Sequence, residues 1–481
     1  MIMYETIIGL EVHVELKTQS KIFCGCSTRF GAEANSQVCP ICLGMPGVLP
    51  VLNKKVLEYA VLAGLSLECQ IAEHSKMDRK NYFYPDLPKA YQISQYDLPI
   101  CGEGFLTIKT DDGDKKITIN RVHIEEDTGK LTHQGETIST SKDSLVDFNR
   151  GGVPLIEIVS EPEMKTPMEA VDYLEKLKSI LQYLNISDCK MEEGSLRCDA
   201  NVSLRPLGDK KLGCKTEIKN LNSFKMLQRA LEFEIKRQDE ILRKGGKIVQ
   251  ETRTWDDKQG ITLPLRSKEM AHDYRYFPEP DLVLIRIKKE WLQQIKNQLP
   301  ELPQAKKKRF IEVYQLPAYD AEVLTGDKDL ADFFEETLNC YPNTKKTSNW
   351  IMSEVLRLLN QEQIAIKQAL IKPKEMAGLL KLVDDGVISS KIAKEVFIEM
   401  FATGSSAEMI IENKGLSQIS DKNKLEEIIT KVLNDHPDSV KSYYAGQKKN
   451  LGFLVGQVMK ETAGQANPAM VNEILFKKLG N

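Results

Sequence analysis

The stretch that decides the fold is Gly9-Leu10-Glu11-Val12-His13-Val14-Glu15-Leu16, near the beginning of the chain. Glu11, His13 and Glu15 alternate with apolar residues, and this period of two predicts a β-strand with one face in the core. Side chains at alternate positions lie about 6.6 Å apart, so a carboxylate and an imidazole can flank one divalent cation. A solvent-facing strand gives the same pattern, and this stretch alone does not decide between the two.

Length and composition narrow the class of protein. A chain of 481 residues with 41% hydrophobic and 28% charged residues is typical of a soluble globular protein with two or three domains. The sequence has no apolar run long enough to span a bilayer, so we expect no membrane partner. Residues 1–5 lack the features of a secretory signal, which predicts a cytoplasmic protein. The net charge of −3 leaves room only for local nucleic-acid binding.

Four of the ten cysteines form two pairs with metal-ligand spacing. Cys24 and Cys26 are separated by twelve residues from Cys39 and Cys42. Two such pairs can close a tetrahedral thiolate site with no open position, so we predict a structural zinc knuckle over residues 24–42. Four unligated thiols in a reducing compartment are the alternative.

Strand patterns dominate from about residue 104 to 220. Glu125 lies on the polar side of an alternating segment, and Glu157 interrupts the apolar run Val153–Val159. A buried carboxylate is costly unless it is paired or binds a metal, so Glu157 is a candidate ligand or salt-bridge partner. Each strand taken singly is also compatible with an ordinary solvated sheet. Together the strands favour one concave polar floor.

Two amphipathic helices are predicted to cover the other face of the sheet. Residues 197–205 and 214–220 continue the strand alternation, whereas Thr166-Pro167-Met168-Glu169 is a capping box that opens an apolar helical stripe. A second helix is predicted over about 223–244. Strand runs followed by helices indicate an α+β fold with an antiparallel sheet, covered on one side and open on the other.

The last third of the chain has helical periodicity. We predict a cradle over residues 1–292, an all-α helical domain over 293–405 and a helical tail over 406–481. From Lys441 onward the tail has six Lys against two Glu. This excess favours phosphate contacts, although a solvated helix face has the same composition. The candidate nucleic-acid contacts are Lys441, Lys448, Lys449 and Lys460.

A polar floor that carries acids, histidines and basic residues suits Mg²⁺ with a nucleoside triphosphate. The sequence has no Walker A motif and no glycine-rich dinucleotide fingerprint, so a nucleotide site must be of another type. Hydrolase motifs such as G-x-S-x-G and H-E-x-x-H are also missing from the sequence.

Several blocks of sequence resemble the B subunits of bacterial aspartyl/glutamyl-tRNA amidotransferases, and the resemblance runs essentially from end to end. The blocks are Gly9–Leu16, the two cysteine pairs, Tyr82–Lys89, Asp147–Leu155, Met191–Asn201 and Arg275–Leu282. The resemblance implies a cradle with a glutamine-synthetase-like fold, and a helical domain and YqeY-like tail that hold tRNA.

The resemblance also implies an activity, that of a carbon–nitrogen ligase with glutamine as amido donor. ATP and Mg²⁺ would serve to phosphorylate the side-chain carboxylate of Glu on mischarged tRNA(Gln), or of Asp on mischarged tRNA(Asn), and ammonia would then displace phosphate. This chain has no Gly-Gly-Ser-Ser-Gly amidase signature, so the implied partners in a heterotrimer are an amidase (the A subunit) and a small protein (the C subunit).

Residue roles are carried over by position. The resemblance implies Mg²⁺ ligation by Glu11, His13, Glu125 and Glu157, and phosphate, carboxylate or ATP contacts by Arg150, Arg197 and Lys215. It implies ammonia-path roles for Glu126 and Asp127, and zinc ligation by Cys24, Cys26, Cys39 and Cys42.

Two rival functions remain at this stage. A small-molecule carboxylate–amine ligase of glutamine-synthetase type explains the floor but leaves the helical arm and basic tail without a purpose. A non-catalytic tRNA-binding scaffold explains the tail but does not need a buried Glu157 beside strands that carry Glu and His.

Overall fold

The computed structural model describes residues 3–134, 143–265, 274–416, 422–445, 447–462, 466 and 468–480. The chain divides into two compact units, residues 1–303 and 304–481. None of the helices within the described ranges is long and apolar enough to cross a membrane.

The first unit contains fifteen strands and four helices within its described residues. The strands are β1 (Tyr4–Glu15), β2 (His74–Ser75), β3 (Asp78–Asn81), β4 (Tyr91–Ser94), β5 (Gly104–Thr110), β6 (Gly113–Glu126), β7 (Lys130–Gln134), β8 (Asp143–Asp147), β9 (Pro154–Ser160), β10 (Leu196–Pro206), β11 (Thr216–Lys219), β12 (Glu251–Asp256), β13 (Ile261–Pro264), β14 (Phe277–Pro278) and β15 (Ile285–Arg286). The helices are α1 (Lys54–Ser66), α2 (Pro167–Tyr183), α3 (Phe224–Arg243) and α4 (Lys289–Lys296).

An eight-stranded sheet is the centre of this unit, in the order β13-β12-β11-β10-β1-β9-β6-β5. Strand β1 lies between β10 and β9 and is antiparallel to both. The apolar positions of β1 are buried, with Ile8, Val12 and Val14 fully so, which confirms the alternation predicted for this stretch. All neighbouring pairs are antiparallel except β11 with β12, which are parallel. The predicted antiparallel sheet is therefore confirmed apart from this one pair of strands.

A β-bulge in β6 changes which residues of that strand face the core. Ile119 pairs with Ser160 and Arg121 pairs with Val159, so Asn120 is an extra residue without a partner on β9. Before the bulge the buried apolar residues have odd numbers, as at Ile119, whereas beyond it they have even numbers, as at Val122. The bulge therefore turns the odd-numbered residues that follow it towards the open face.

The two predicted covering helices are present on one face of the sheet. Thr166 caps α2 by accepting a hydrogen bond from the Glu169 N–H at 3.1 Å, and Ser223 caps α3 by accepting from the Met226 N–H. Leu174 and Leu181 of α2 are fully buried in the core beneath the sheet. Burying a leucine side chain contributes about 2 kcal/mol, which explains why these helices cover the apolar face.

The second unit is helical throughout its described residues, as the sequence predicted. Its helices are α5 (Pro303–Glu312), α6 (Ala318–Gly326), α7 (Lys328–Cys340), α8 (Thr344–Trp350), α9 (Leu356–Glu362), α10 (Pro373–Asp384), α11 (Ser390–Thr403), α12 (Ala407–Lys414), α13 (Lys422–Asp435), α14 (Pro437–Tyr444), α15 (Lys449–Glu461) and α16 (Pro468–Leu479). A π-helical turn (Ile351–Val355) and a 3₁₀ turn (Ile366–Gln368) complete it. Helix α11 ends at Gly404, whose φ of 72° is the left-handed conformation that favours glycine.

Two separate hydrophobic clusters stabilise these helices. One extends from Phe310 to Ile411 and the other from Leu425 to Leu479. The functional boundaries predicted at 292/293 and 405/406 remain predictions.

One buried lysine joins two helices of the second unit. Lys306 of α5 is 7% exposed, and its Nζ lies 2.9 Å from both Asp332 Oδ1 and Glu335 Oε2 of α7. Burial opposes ionisation of both acids, but hydrogen bonds from neighbouring cations, Lys306 among them, outweigh it and lower the pKa of each carboxyl group.

We expect Lys306→Met to destabilise the packing of α5 on α7 by about 1 kcal/mol at pH 7, because two half-buried carboxylates lose a partner. A carboxyl group with a lowered pKa stabilises the fold above its unfolded pKa, and this stabilisation is lost as the pH falls through the folded pKa. The difference between variant and parent should therefore shrink below about pH 4. Hydrogen exchange of the α5 and α7 amides in the full chain measures this difference in stability.

The control is Lys308→Met, because the Lys308 side chain is 73% exposed and only 3.8 Å from Glu312. Equal exchange rates in the two variants at pH 7 would show that the Lys306 network does not stabilise the helix pair.

Candidate active site

The pairing register of the sheet aligns polar residues of four strands in one row on the open face. Glu157 of β9 is directly opposite His13 of β1 on one side and His123 of β6 on the other. Arg197 of β10 is opposite His13, so the row reads Arg197, His13, Glu157, His123. Glu125 follows His123 at the next open-face position of β6. Alternation within each strand makes these side chains share one face.

Three of these groups converge closely enough to hold one cation. His13 Nε2 lies 3.2 Å from Glu157 Oε2 and 3.7 Å from Glu125 Oε1. A ligand atom from each of His13, Glu125 and Glu157 lies within 4.8 Å of the other two. The Glu157 side chain is 12% exposed, so it is nearly buried and paired, as its sequence context led us to expect. One imidazole and two carboxylates suit a divalent cation.

The charges of this cluster are strongly coupled. Burial opposes charging His13, but its hydrogen bond to Glu157 and the charge of Glu125 outweigh burial and raise the His13 pKa. Burial lowers the pKa of His123 to about 4, so this imidazole is neutral at pH 7. Burial raises the pKa of Glu125, whereas the hydrogen bond with His13 lowers that of Glu157 despite its burial. These shifts favour an ion pair between His13 and Glu157, and a bound cation would take the place of the His13 proton.

The structure groups Glu11 with different partners from those the sequence suggested. Ligand atoms of Glu11, Asp199 and Glu217 lie within 4.8 Å of one another, on β1, β10 and β11. Lys219 Nζ neutralises part of this group, at 2.7 Å from Asp199 and 3.1 Å from Glu217. Burial and the nearby charge of Glu157 raise the pKa of Glu11, so the two carboxylate groups are electrostatically linked.

Two of the predicted phosphate-binding residues share one carboxylate. Arg197 Nη2 lies 2.6 Å from Asp127 Oδ2, and Arg150 Nε lies 3.6 Å from the same oxygen. Arg150 also donates hydrogen bonds to the carbonyls of Thr128 and Gly129. Burial opposes ionisation of Asp127, but the two guanidinium groups lower its pKa. Burial and the Asp127 charge raise the pKa of the adjacent Glu15 to about 8.

The remaining predicted residues lie apart from this row. Lys215 is exposed, next to the start of β11. Glu126 is buried and points away from the floor, because it follows Glu125 on the strand. Its carboxylate forms an ion pair with Lys89 Nζ at 2.5 Å and accepts the Ile93 N–H. It lines a cavity of about 200 Å³ together with Lys21, Cys42 and Lys89.

Sequence reasoning missed His123, Asp199 and Glu217 as site residues. Each occupies the polar face of a strand that had been identified, two positions from a predicted site residue or within the same alternating segment. Same-face alternation was the signal that could have found them, but the alignment between strands is needed to decide which of the polar residues meet.

The four predicted zinc ligands lie together in the first unit. The sulfur atoms of Cys24, Cys26, Cys39 and Cys42 are all within 4.8 Å of one another. A tetrahedral zinc–thiolate site needs sulfur atoms about 3.8 Å apart, so the cluster fits zinc. The Cys24 thiol donates a hydrogen bond to Cys42, and this bond is the main reason that the Cys42 pKa falls to about 4.

The cysteine loop also supports the loop that carries Arg150. The backbone N–H of Asn35 donates to Asp147 Oδ1 at 3.0 Å, and that of Gln37 donates to Asn149 Oδ1 at 2.8 Å. Lys21 Nζ lies 3.7 Å from Cys42 Sγ and donates to the Phe148 carbonyl at 3.1 Å. The cysteine cluster is thus hydrogen-bonded to the base of the Arg150 loop.

The predicted nucleic-acid contacts lie on the last helices of the second unit. Lys441 is on α14, Lys449 begins α15 directly after Lys448, and Lys460 lies in the last turn of α15. All four lysine side chains are exposed. Their binding role remains a prediction.

Fold and site together define a class: an α+β protein whose antiparallel-dominated sheet carries a carboxylate–histidine cluster able to bind a cation, joined to a helical unit. Residues 6–293 match the family model of the GatB/GatE catalytic domain, and residues 332–479 match that of the GatB domain. The chain belongs to the GatB family.

Curated relatives are similar over almost their whole length. The chain is 61% identical to the B subunit of the aspartyl/glutamyl-tRNA(Asn/Gln) amidotransferase from Caldanaerobacter subterraneus subsp. tengcongensis, with 99% of each chain covered. It is 60% identical to the protein of the same name from Carboxydothermus hydrogenoformans, again with 99% of each covered. That from Moorella thermoacetica is 56% identical, over 99% of this chain and all of the relative.

We expect Cys42→Ser to lose most of the bound zinc, because one thiolate of a four-sulfur site is removed. Metal analysis of the purified full chain should find about one zinc ion per parent chain and far less in the variant. Hydrogen exchange at residues 147–152 should rise with zinc loss. The control is Cys340→Ser, which changes an exposed cysteine outside the cluster. Equal zinc contents in the two variants would contradict the site.

Proposed function

We propose that this chain is the B subunit of a tRNA-dependent amidotransferase. It uses ATP to phosphorylate the side-chain carboxylate of Glu on mischarged tRNA(Gln), of Asp on mischarged tRNA(Asn), or of both. Ammonia then displaces phosphate to give the cognate amide. The observation that carries the proposal is the convergence of His13, Glu125 and Glu157 on the open sheet face of a chain about 60% identical to proteins of that name.

Activation of the carboxylate is chemically necessary. A carboxylate is a poor electrophile because its leaving group would be oxide, whereas an acyl phosphate loses phosphate readily. Such a transfer needs positioning and charge stabilisation and no protein nucleophile. This agrees with a floor made of acids, imidazoles and basic side chains.

The geometry of the cluster supports a role for each of its residues. His13, Glu125 and Glu157 would hold Mg²⁺, and Glu11 would act with Asp199 and Glu217 as a second carboxylate group beside it. A Mg²⁺ ion held by these residues would supply positive charge to screen the phosphates. Neutral His123 would donate its Nε2–H to Glu157 Oε2, 3.5 Å away, and so fix the orientation of that carboxylate.

Basic residues around the floor would bind the anionic parts of the substrates. Arg197 and Arg150 are held by Asp127 at one end of the row, where they would meet ATP or the carboxylate undergoing activation. Lys215 is exposed next to the start of β11, and we assign it to the phosphate chain. These contacts would hold the reacting groups in the orientation that the transfer requires.

Ammonia would come from a partner, because the sequence lacks an amidase signature. We assign this supply to an amidase, the A subunit, joined by the small C subunit in a cytoplasmic heterotrimer. Glu126 lines the cavity beside Lys89, and Asp127 follows it at the end of the strand. A polar cavity lined by paired charges suits a small hydrogen-bonding nucleophile such as ammonia.

The rest of the chain would support this reaction by holding the cradle together and by binding tRNA. The cradle would have a glutamine-synthetase-like fold, the cysteine cluster would hold a structural zinc ion, and the helical domain and YqeY-like tail would bind tRNA. Exposed lysines at the tail provide phosphate contacts.

ATP hydrolysis by the assembled complex tests the function. The chain is purified with its A and C partners and assayed with and without mischarged Glu-tRNA(Gln) or Asp-tRNA(Asn). Turnover that requires mischarged tRNA supports the proposal and identifies the pair. Turnover without tRNA would indicate a small-molecule ligase, and no turnover would indicate a scaffold.

In this assay we expect Glu125→Gln to lower phosphoryl transfer about 100-fold or more, because a charged ligand of the cation is removed. Binding of tRNA should change less than about twofold, since the helical unit is intact. Glu103→Gln, at an exposed position of the same unit, is the control. Full transamidation by Glu125→Gln with added ammonium would refute the metal assignment.

The tail is tested by salt dependence. We expect Lys448→Gln with Lys449→Gln to weaken tRNA binding and to lower the slope of log K against log salt by about 1 for each phosphate interaction that is removed. Turnover at saturating tRNA should be unchanged. Lys247→Gln, an exposed lysine of the first unit, controls for net charge. An unchanged dissociation constant in the double variant would contradict a tRNA-binding tail.

A further inference from the structure

The segment that contains β3 has three closely spaced cations, and they differ in their partners. Lys76 Nζ lies 2.6 Å from Asp78, and Arg79 forms an ion pair with Glu279 at 2.7 Å. Among the described residues, no carboxylate oxygen lies within ion-pair distance of Lys80. Lys80 therefore has a positive charge that the described part of the chain leaves unneutralised.

Aromatic rings hold the Lys80 side chain. Its Nζ lies 4.9 Å from the centre of the Tyr274 ring and 5.8 Å from that of Tyr82, within the range of cation–π attraction. The two rings contact each other edge to face at 5.8 Å. Lys80 is half-buried, so its ammonium group is partly preorganised by the rings.

Strand pairing brings the Lys80 segment to the cation cluster. Lys80 of β3 is directly opposite Gln92 of β4. The Gln92 side chain donates to the Glu126 carbonyl at 2.8 Å, and the Ser94 hydroxyl donates to Glu125 Oε2 at 3.4 Å. Strand β4 therefore joins the segment that contains Lys80 to the end of β6 that carries Glu125.

Arg121 has a similar position on β6. It occupies the open face two residues before His123, and its Nε donates to His123 Nδ1 at 3.4 Å. Its only other hydrogen bond in the described part of the chain is to the Asn120 side chain, at 3.4 Å. It forms no ion pair with a described carboxylate, whereas Arg197 and Arg150 both point to Asp127.

We propose that Lys80 and Arg121 bind the polyphosphate of a nucleoside triphosphate beside the His13–Glu125–Glu157 cluster. The inference rests on the proposed function and adds two residues to it. A polyphosphate has more negative charge than one divalent metal ion can neutralise. Two unneutralised cations next to a cation site therefore form the pattern that a metal-bound polyphosphate needs. Arg150 and Arg197 are already partly neutralised, so Lys80 and Arg121 provide the larger share of positive charge.

The proposal predicts effects of opposite sign on two ligands. A positive charge at Lys80 repels a divalent cation in the cluster and attracts a polyphosphate bound there. Lys80→Met should therefore bind free Mn²⁺ at least about twofold more tightly than the parent does. The same variant should bind magnesium tripolyphosphate about tenfold more weakly. A purely structural role for Lys80 would weaken both.

The experiment is calorimetric titration of the full chain with Mn²⁺, and then with tripolyphosphate at saturating Mg²⁺. Tripolyphosphate carries neither a base nor a carboxyl group, so it isolates the phosphate contacts. Arg121→Gln should also weaken the binding of tripolyphosphate, and Lys80→Arg should retain most of the affinity of the parent. The matched control is Lys116→Met, whose Nζ also lies over a ring, 3.7 Å from the centre of Phe105, on the outer part of the eight-stranded sheet.

The outcomes separate the two proposals. If the parent binds no Mn²⁺, the cation cluster and with it the proposed function fail. If Mn²⁺ binds but Lys80→Met and Lys116→Met bind tripolyphosphate equally, only the Lys80 inference fails. L-Glutamate is titrated in the same way. If Lys80→Met weakens the binding of L-glutamate and not that of tripolyphosphate, the residue serves the substrate carboxylate and the inference is overturned.

Discussion

The alignment of β1 between β9 and β10 is the constraint on which the rest of the site depends. His13, Glu157 and Arg197 meet because these strands pair in one register, and a slip of one residue would turn their side chains into the core. The buried apolar residues of β1 oppose such a slip, since exposing them would cost several kcal/mol in total. The same hydrophobic alternation that folds the sheet therefore fixes the chemistry on its other face.

Much of the architecture could be predicted from local pattern. Alternation identified β1, the capping box located α2, and cysteine spacing located a cluster that the structure brings together. Alternation also placed His13 and Glu125 on polar faces, and the interruption of an apolar run singled out Glu157. It could not assign Glu11 to Asp199 and Glu217, because that grouping depends on the alignment of three strands. The parallel pairing of β11 with β12 likewise depends on the path of the chain between them, which periodicity does not specify.

The charges of the open face are divided between two kinds of position. Asp127 neutralises Arg197 and Arg150 at one end of the row, while Lys80 remains beside the cation cluster without a described carboxylate partner. A sequence shows all of these cations as equivalent. Only the contacts made after folding distinguish the cations that are paired within the protein from those that remain available to bind an anion.

The bulge at Asn120 makes the site sensitive to chain length as well as to residue identity. Glu125 faces the floor and Glu126 faces the cavity with Lys89, so a single strand separates two different environments. Deleting one residue after the bulge would exchange these carboxylates between the two sides, whereas a substitution changes one position only. We therefore expect β6 to tolerate replacements far better than insertions or deletions, and the loop of residues 111–112 that precedes it to accept length variation that the strand cannot.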